Sequence, residues 1–152
     1  MPGILVIAHA PLASALKQTA QHAFPEAAQQ LLTLDVLPNL PVEEIEAQAR
    51  LLLERAQTGA PRSEALILVD VFGATPANVA QRLADGLRVK VLTGVNVPML
   101  WRVLNYAHES LDTLVTRALA GATQGVMQVA NARPLNQAPH RIHDQDHRQH
   151  QQ

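Results

Sequence analysis

Four times along this 152-residue chain a short, mostly apolar run gives way to a longer stretch whose apolar residues recur at helical spacing. The runs are Gly3 to Ala8, Leu31 to Val36, Ala65 to Val69 and Val89 to Val95. Segments this short and this apolar suit strands buried on both faces, the kind parallel sheets use. Strand and helix in alternation argue for a parallel sheet with helices on both faces. Because such crossovers are right-handed, the common order is 2-1-3-4, which sets strands 1 and 3 side by side with their outgoing helices on opposite faces. That junction is where doubly wound sheets bind ligands.

The intervening stretches fit this flavodoxin-like α/β plan. Leu12, Leu16, Ala20, Ala23 and Phe24 form one helical face, with Pro11 read as the first helical position and Pro25 as the stop. Val42, Ile45, Ala49, Leu52, Leu53 and Ala56 make the clearest amphipathic helix. The third helix is expected to have Thr75 as its cap, Pro76 at its first position and Gly86 past its end. A short helix opens at Asn96-Val97-Pro98 and runs through Leu104, and the last starts from a Ser110 cap and ends at Gly121. Gly125 to Ala130 alternates enough for a final strand. Residues 1–130 are thus read as one domain, and the polar, histidine-bearing tail 131–152 as disordered.

Composition removes several function classes. Twelve lysines and arginines against thirteen acidic residues leave a formal charge of -1 and no basic stripe, so nucleic acid is a poor partner. Cysteine is absent, which excludes thiolate chemistry and cysteine-ligated zinc. No apolar run approaches the roughly 18 residues of a membrane span, and no secretory leader is evident, so a soluble cytoplasmic protein is expected.

Two polar residues end the strands at the junction: His9 after strand 1 and Asp70 after strand 3. Adjacent strands lie about 4.8 Å apart, so an imidazole and a carboxylate there can share one hydrogen bond. The carboxylate would fix the ring's tautomer and leave the other nitrogen as nucleophile or base. No serine or cysteine nucleophile is evident beside it, so the histidine is the better candidate nucleophile. The helix amino termini at Pro11 and Pro76, with the Thr75 hydroxyl, would suit a phosphoryl group. The competing structural reading has His9 cap a turn and Asp70 cap a loop; joint placement at the junction favours chemistry. A receiver domain would need acidic residues after strand 1, where this chain has His9-Ala10-Pro11, and a flavin or dinucleotide site would need a glycine- or hydroxyl-rich loop there.

Three motifs, ILVIAHAPLASAL from Ile4, LILVDVFGATPANVA from Leu66 and GVNVPML from Gly94, make the chain resemble the mannose-type enzyme IIA domain of the phosphoenolpyruvate-dependent sugar phosphotransferase system. The resemblance runs from about Gly3 to Ala130. It implies a phosphotransferase component in which His9 accepts a phosphoryl group on Nε2 from the carrier HPr and passes it to an enzyme IIB. It further implies that Asp70 orients the imidazole, that Thr75, with Ala74 and Gly73, lies close to the phosphate, and that no cofactor or metal takes part. A homodimer is implied too, with the strand Gly125 to Ala130 exchanged between subunits. The family usually has glycine after the active histidine, where this chain has Ala10 and Pro11. No IIB segment is fused, so the acceptor is expected to be a separate protein. A stand-alone regulatory module, sensed by a partner through the state of His9, is the alternative. The tail histidines His140, His143, His147 and His150 are read as weak metal binders at most. His22 and His108 are given no role.

Overall fold

The computed structural model describes residues 1–58 and 63–130. In chain order come β1 (Gly3–His9), α1 (Leu12–Ala23), a 3-10 turn (Ala27–Gln30), β2 (Leu31–Val36), α2 (Val42–Ala56), β3 (Ala65–Val69), α3 (Thr75–Leu83), β4 (Val89–Leu92), α4 (Val97–Asn105) and α5 (Leu111–Gln124). The strands form one parallel sheet in the order β2-β1-β3-β4, as the crossover argument requires.

Both faces of the sheet are covered, which is why the central strands β1 and β3 read as unbroken apolar runs rather than as alternating ones. Successive side chains point to opposite faces. Ile4, Val6 and Ala8 of β1 with Leu66 and Leu68 of β3 therefore pack under α1, α4 and α5. Leu5, Ile7, Ile67 and Val69 face α2 and α3 instead. Every residue of β3 is buried, and Ile67 is wholly enclosed. An Ile67→Ala chain should lose about 2–5 kcal/mol of stability, through the lost transfer energy and the cavity left behind. Urea unfolding of the two proteins measures it as a lower midpoint at unchanged slope.

Several boundaries differ from those expected, each for a local reason. Pro11 occupies the cap position of α1 rather than its first turn, and the Ala10–Pro11 peptide is cis. The cap of α3 is Ala74, with Thr75 and Pro76 as its first two residues. First-turn amides have no partner inside the helix, so proline fits anywhere there and marks the start only to within a residue or two. That helix ends at Leu83, and Gly86 (φ 75°) belongs instead to the turn before β4, where Asp85 accepts from the amides of Leu87, Arg88 and Val89. β4 stops at Leu92, although the Val95 amide still reaches the Val69 carbonyl at 3.0 Å. α5 runs through Gly121 because this glycine serves packing: a Cβ there would lie 2.3 Å from the Arg102 Cγ. The Ala27–Gln30 turn has no periodic signature and was not anticipated.

The segment Gly125–Ala130 is not a strand in the single chain. Val126, Met127 and Val129 are 74%, 70% and 85% exposed, and no edge of the chain's own sheet pairs with them. Alternation supplies a period but not a partner, and a strand exists only through its hydrogen bonds to another. The tail 131–152, with its four histidines, lies outside the described residues, as does most of the loop before β3.

Candidate functional site

β1 and β3 pair directly, and each delivers one polar residue to the carboxyl edge of the sheet. His9 is the last residue of β1, and Asp70 follows the last residue of β3. The Asp70 carboxylate collects three donors: its Oδ2 accepts from the His9 backbone amide at 3.0 Å and faces His9 Nδ1 at 2.7 Å, while its Oδ1 accepts from the Val71 amide at 2.9 Å. The side chain of Asp70 is only 12% exposed, whereas that of His9 is 52% exposed. The acid is therefore embedded and the imidazole offered to solvent.

Burial is the largest single influence on the Asp70 carboxyl and raises its pKa. The His9 amide and ring, then the Val71 amide, together outweigh it, leaving the carboxyl below its ordinary value. Asp70 is thus ionised at neutral pH and can only accept. The proton in the 2.7 Å contact must then sit on Nδ1, and the neutral ring carries its free lone pair on Nε2. The stabilising contribution of Asp70 is complete above the unfolded-state value of about 3.9 and is lost as the pH falls through the lower folded value. Accordingly, the stability gap between the native chain and Asp70→Asn, measured by urea unfolding, should be open at pH 7 and close toward pH 2.

His9 and Thr75 face a shared cleft of about 380 Å³. Its other wall is apolar: Val36, Leu37, Pro38, Leu40 and Val42 from the end of β2 into α2, with Ile45 behind them. The alternation of β1 explains this side: Leu5, Ile7 and then His9 point toward α2 and α3. Thr75 opens α3, whose cap Ala74 supplies no side-chain acceptor, so the first-turn amides there stay free of a capping group. Gly73 precedes it at φ 87°, a conformation that glycine adopts without steric cost. Of the three residues expected near a phosphate, Thr75 reaches the cleft, and Gly73 and Ala74 form the turn leading to it.

The second expected helix terminus is occupied. The Ser14 amide, in the first turn of α1, donates to Asp35 Oδ1 at 3.0 Å. Spacing gave no warning of this, since Asp35 lies near the end of β2 and meets Ser14 only through the strand register. The apolar cleft wall was also missed, because Pro38 to Pro41 read as a turn and Val42 as part of a helix, which says nothing of what they face. Among the described residues no cluster of histidine and acidic side chains could hold a metal, and no helix is long and apolar enough to cross a membrane. Away from the cleft, Arg82 pairs with Glu46 at 3.0 Å and Arg102 donates to Gln124 at 2.7 Å, while Trp101 packs edge-on against Phe24.

Comparison with curated proteins gives no match. Among solved structures, the mannose/sorbose specific IIA subunit of the phosphotransferase system from Enterococcus faecalis is 21% identical, with a TM-score of 0.75 over 86% of this chain and 96% of that one. The PTS IIA protein associated with the fucose utilization operon from Streptococcus pneumoniae is 25% identical, with a TM-score of 0.69 over 84% and 92%. A sigma-54 interaction domain protein from Enterococcus faecalis has the same fold at 17% identity, with a TM-score of 0.67 over 82% and 92%. The family model EIIA-man, described as the PTS system fructose IIA component, matches residues 3–119. The chain therefore belongs to the EIIA-man family of phosphotransferase system IIA components.

Proposed function

We propose that the chain is a phosphohistidine carrier working in the cytoplasm, with His9 as the acceptor. One observation carries this reading: an ionised Asp70 holds the Nδ1 proton at 2.7 Å and leaves Nε2 of an exposed ring as the nucleophile. Nε2 attacks the phosphorus of the phosphohistidine on HPr. A new Nε2–P bond forms as the donor's P–N bond breaks, and the donor imidazole leaves with the electron pair. The Nδ1 proton stays in place, and the imidazolium character that develops is neutralised by Asp70. Thr75 and the turn Gly73-Ala74 receive the phosphoryl oxygens, helped by the amino end of α3. Neither cofactor nor metal takes part. The reverse geometry passes the group to an enzyme IIB.

The rim favours protein partners. The loops over this edge, residues 9–12, 36–44, 70–76 and 93–98, contain no lysine or arginine. Beside Asp70, Val71 and Phe72 are 48% and 71% exposed. A partner that docks on this apolar surface brings its own positive charge to the transferring group. The exposed Val126, Met127 and Val129 suit the strand exchanged in a homodimer.

The second reading is a stand-alone regulatory module whose phosphorylation state is sensed without sugar transport, and the likeness to a sigma-54 interaction domain protein favours it. Mixing the phosphorylated chain with a mannose-type IIB and weighing both proteins separates the two. The carrier loses its phosphoryl group to IIB, whereas a chain that keeps it with every IIB offered is the regulator.

A further inference from the structure

The corner that carries His9 is gripped by carboxylates from both neighbouring strands. From β3, Asp70 accepts from the backbone amide and faces the ring nitrogen of His9, at 3.0 and 2.7 Å. From β2, Asp35 accepts from the backbone amide and the hydroxyl of Ser14, at 3.0 and 2.5 Å. Each acid thus holds one residue of the corner by both its amide and its side chain, and only residues 10–13 lie between the two anchors. Val36, next to Asp35, adds a third tie by accepting from the Ala10 amide at 3.0 Å.

Local sequence explains why the second carboxylate comes from another strand. Pro11 stands at the cap of α1 and makes no side-chain cap hydrogen bond. The Ser14 amide is one of those a capping residue ordinarily satisfies. The strand register sets Asp35 beside Ala8, and Ala8 faces α1. A half-buried carboxylate projecting from that position reaches the first turn of α1 and caps it across the chain. The Ser14 hydroxyl also lies 3.2 Å from the Pro11 carbonyl, so the same side chain ties the helix back to its own start.

We propose that Asp35 is a positioning residue for phosphoryl transfer: acting through Ser14, it fixes the start of α1 and so holds the His9 ring on Asp70, with Nε2 as the free nitrogen. The inference rests on the reading of His9 as phosphoryl acceptor. Asp35 itself touches neither the imidazole nor the incoming group. Its effect is to keep a short corner from drifting, and displacements of about 1 Å at such a corner can cost a hundredfold in rate.

The test reads the His9 ring directly, by long-range ¹H–¹⁵N correlation on the full chain at neutral pH. Asp35→Thr keeps a strand-forming residue in β2 but is too short to hold Ser14. Its His9 nitrogen shifts should move from one fixed tautomer toward the average of two, and its initial rate of phosphorylation by phospho-HPr should fall about tenfold. Asp35→Asn keeps one acceptor for the Ser14 amide and should recover most of both effects. A folded Asp35→Thr chain with native ring shifts and native rate overturns the proposal. If Asp35→Thr does not fold, Ser14→Ala decides: a smaller displacement in the same direction is expected, and native shifts overturn it. The ring measurement needs no phosphoryl donor. A native chain that HPr cannot phosphorylate would defeat the functional reading alone and leave this inference to the spectra.

Discussion

A His9→Ala chain incubated with phosphoenolpyruvate, enzyme I and HPr takes up no phosphoryl group, and phospho-HPr in the mixture decays no faster than by its own hydrolysis. The loss is complete because no other group in the cleft can substitute. Thr75 is a hydroxyl without a base, and the remaining walls are aliphatic. The effect is chemical rather than structural. His9 is half exposed, and its backbone amide, which also bonds to Asp70, survives the substitution. Removing a partly solvated ring contact should shift stability by about 1 kcal/mol. A mutant that folds like the native chain yet stays unmodified, by intact mass, is the expected pair of observations.

Asp70→Asn should slow phosphorylation on the order of 10³-fold while leaving His9 in place. The carboxylate satisfies three donors, the His9 amide, the His9 Nδ1–H and the Val71 amide, with acceptor atoms alone. Asparagine has one acceptor oxygen and one donor nitrogen. With the oxygen toward His9, its NH₂ faces the Val71 N–H. With the NH₂ toward His9, it opposes the backbone N–H and drives the ring proton from Nδ1 to Nε2, which removes the nucleophile. In either orientation the negative charge that balances the developing imidazolium is gone. Stopped reactions sampled by mass give the rate. A decrease smaller than tenfold would mean that Asp70 only holds the corner together.

Most of the fold and both central residues were legible because they follow from local pattern plus handedness. Short apolar runs alternating with helices leave few topologies, and right-handed crossovers place His9 beside Asp70 before any coordinates are known. Features that depend on what meets across the fold were not legible. Asp35 reads as one acid within an apolar strand, and nothing in its own neighbourhood says that it caps α1 through Ser14. Pro38 to Pro41 carry turn chemistry, and the role of Pro38 and Leu40 as a wall of the cleft emerges only once β2 is registered against β1. Gly121 looked like a helix stop because glycine commonly is one, yet here its missing side chain admits Arg102. Gly125–Ala130 reads as a strand by its apolar pattern, but a single chain offers it no strand to join.

The proposed function stands on His9 Nε2 as the phosphoryl acceptor. Its most direct test is the intact mass of the native chain after incubation with phosphoenolpyruvate, enzyme I and HPr, followed by brief exposure of the product to acid or to alkali. The expected result is a gain of one phosphoryl group that acid removes and alkali leaves, as a phosphoramidate bond behaves. An unmodified chain beside fully active HPr, or a phosphoryl group that survives acid, would contradict it.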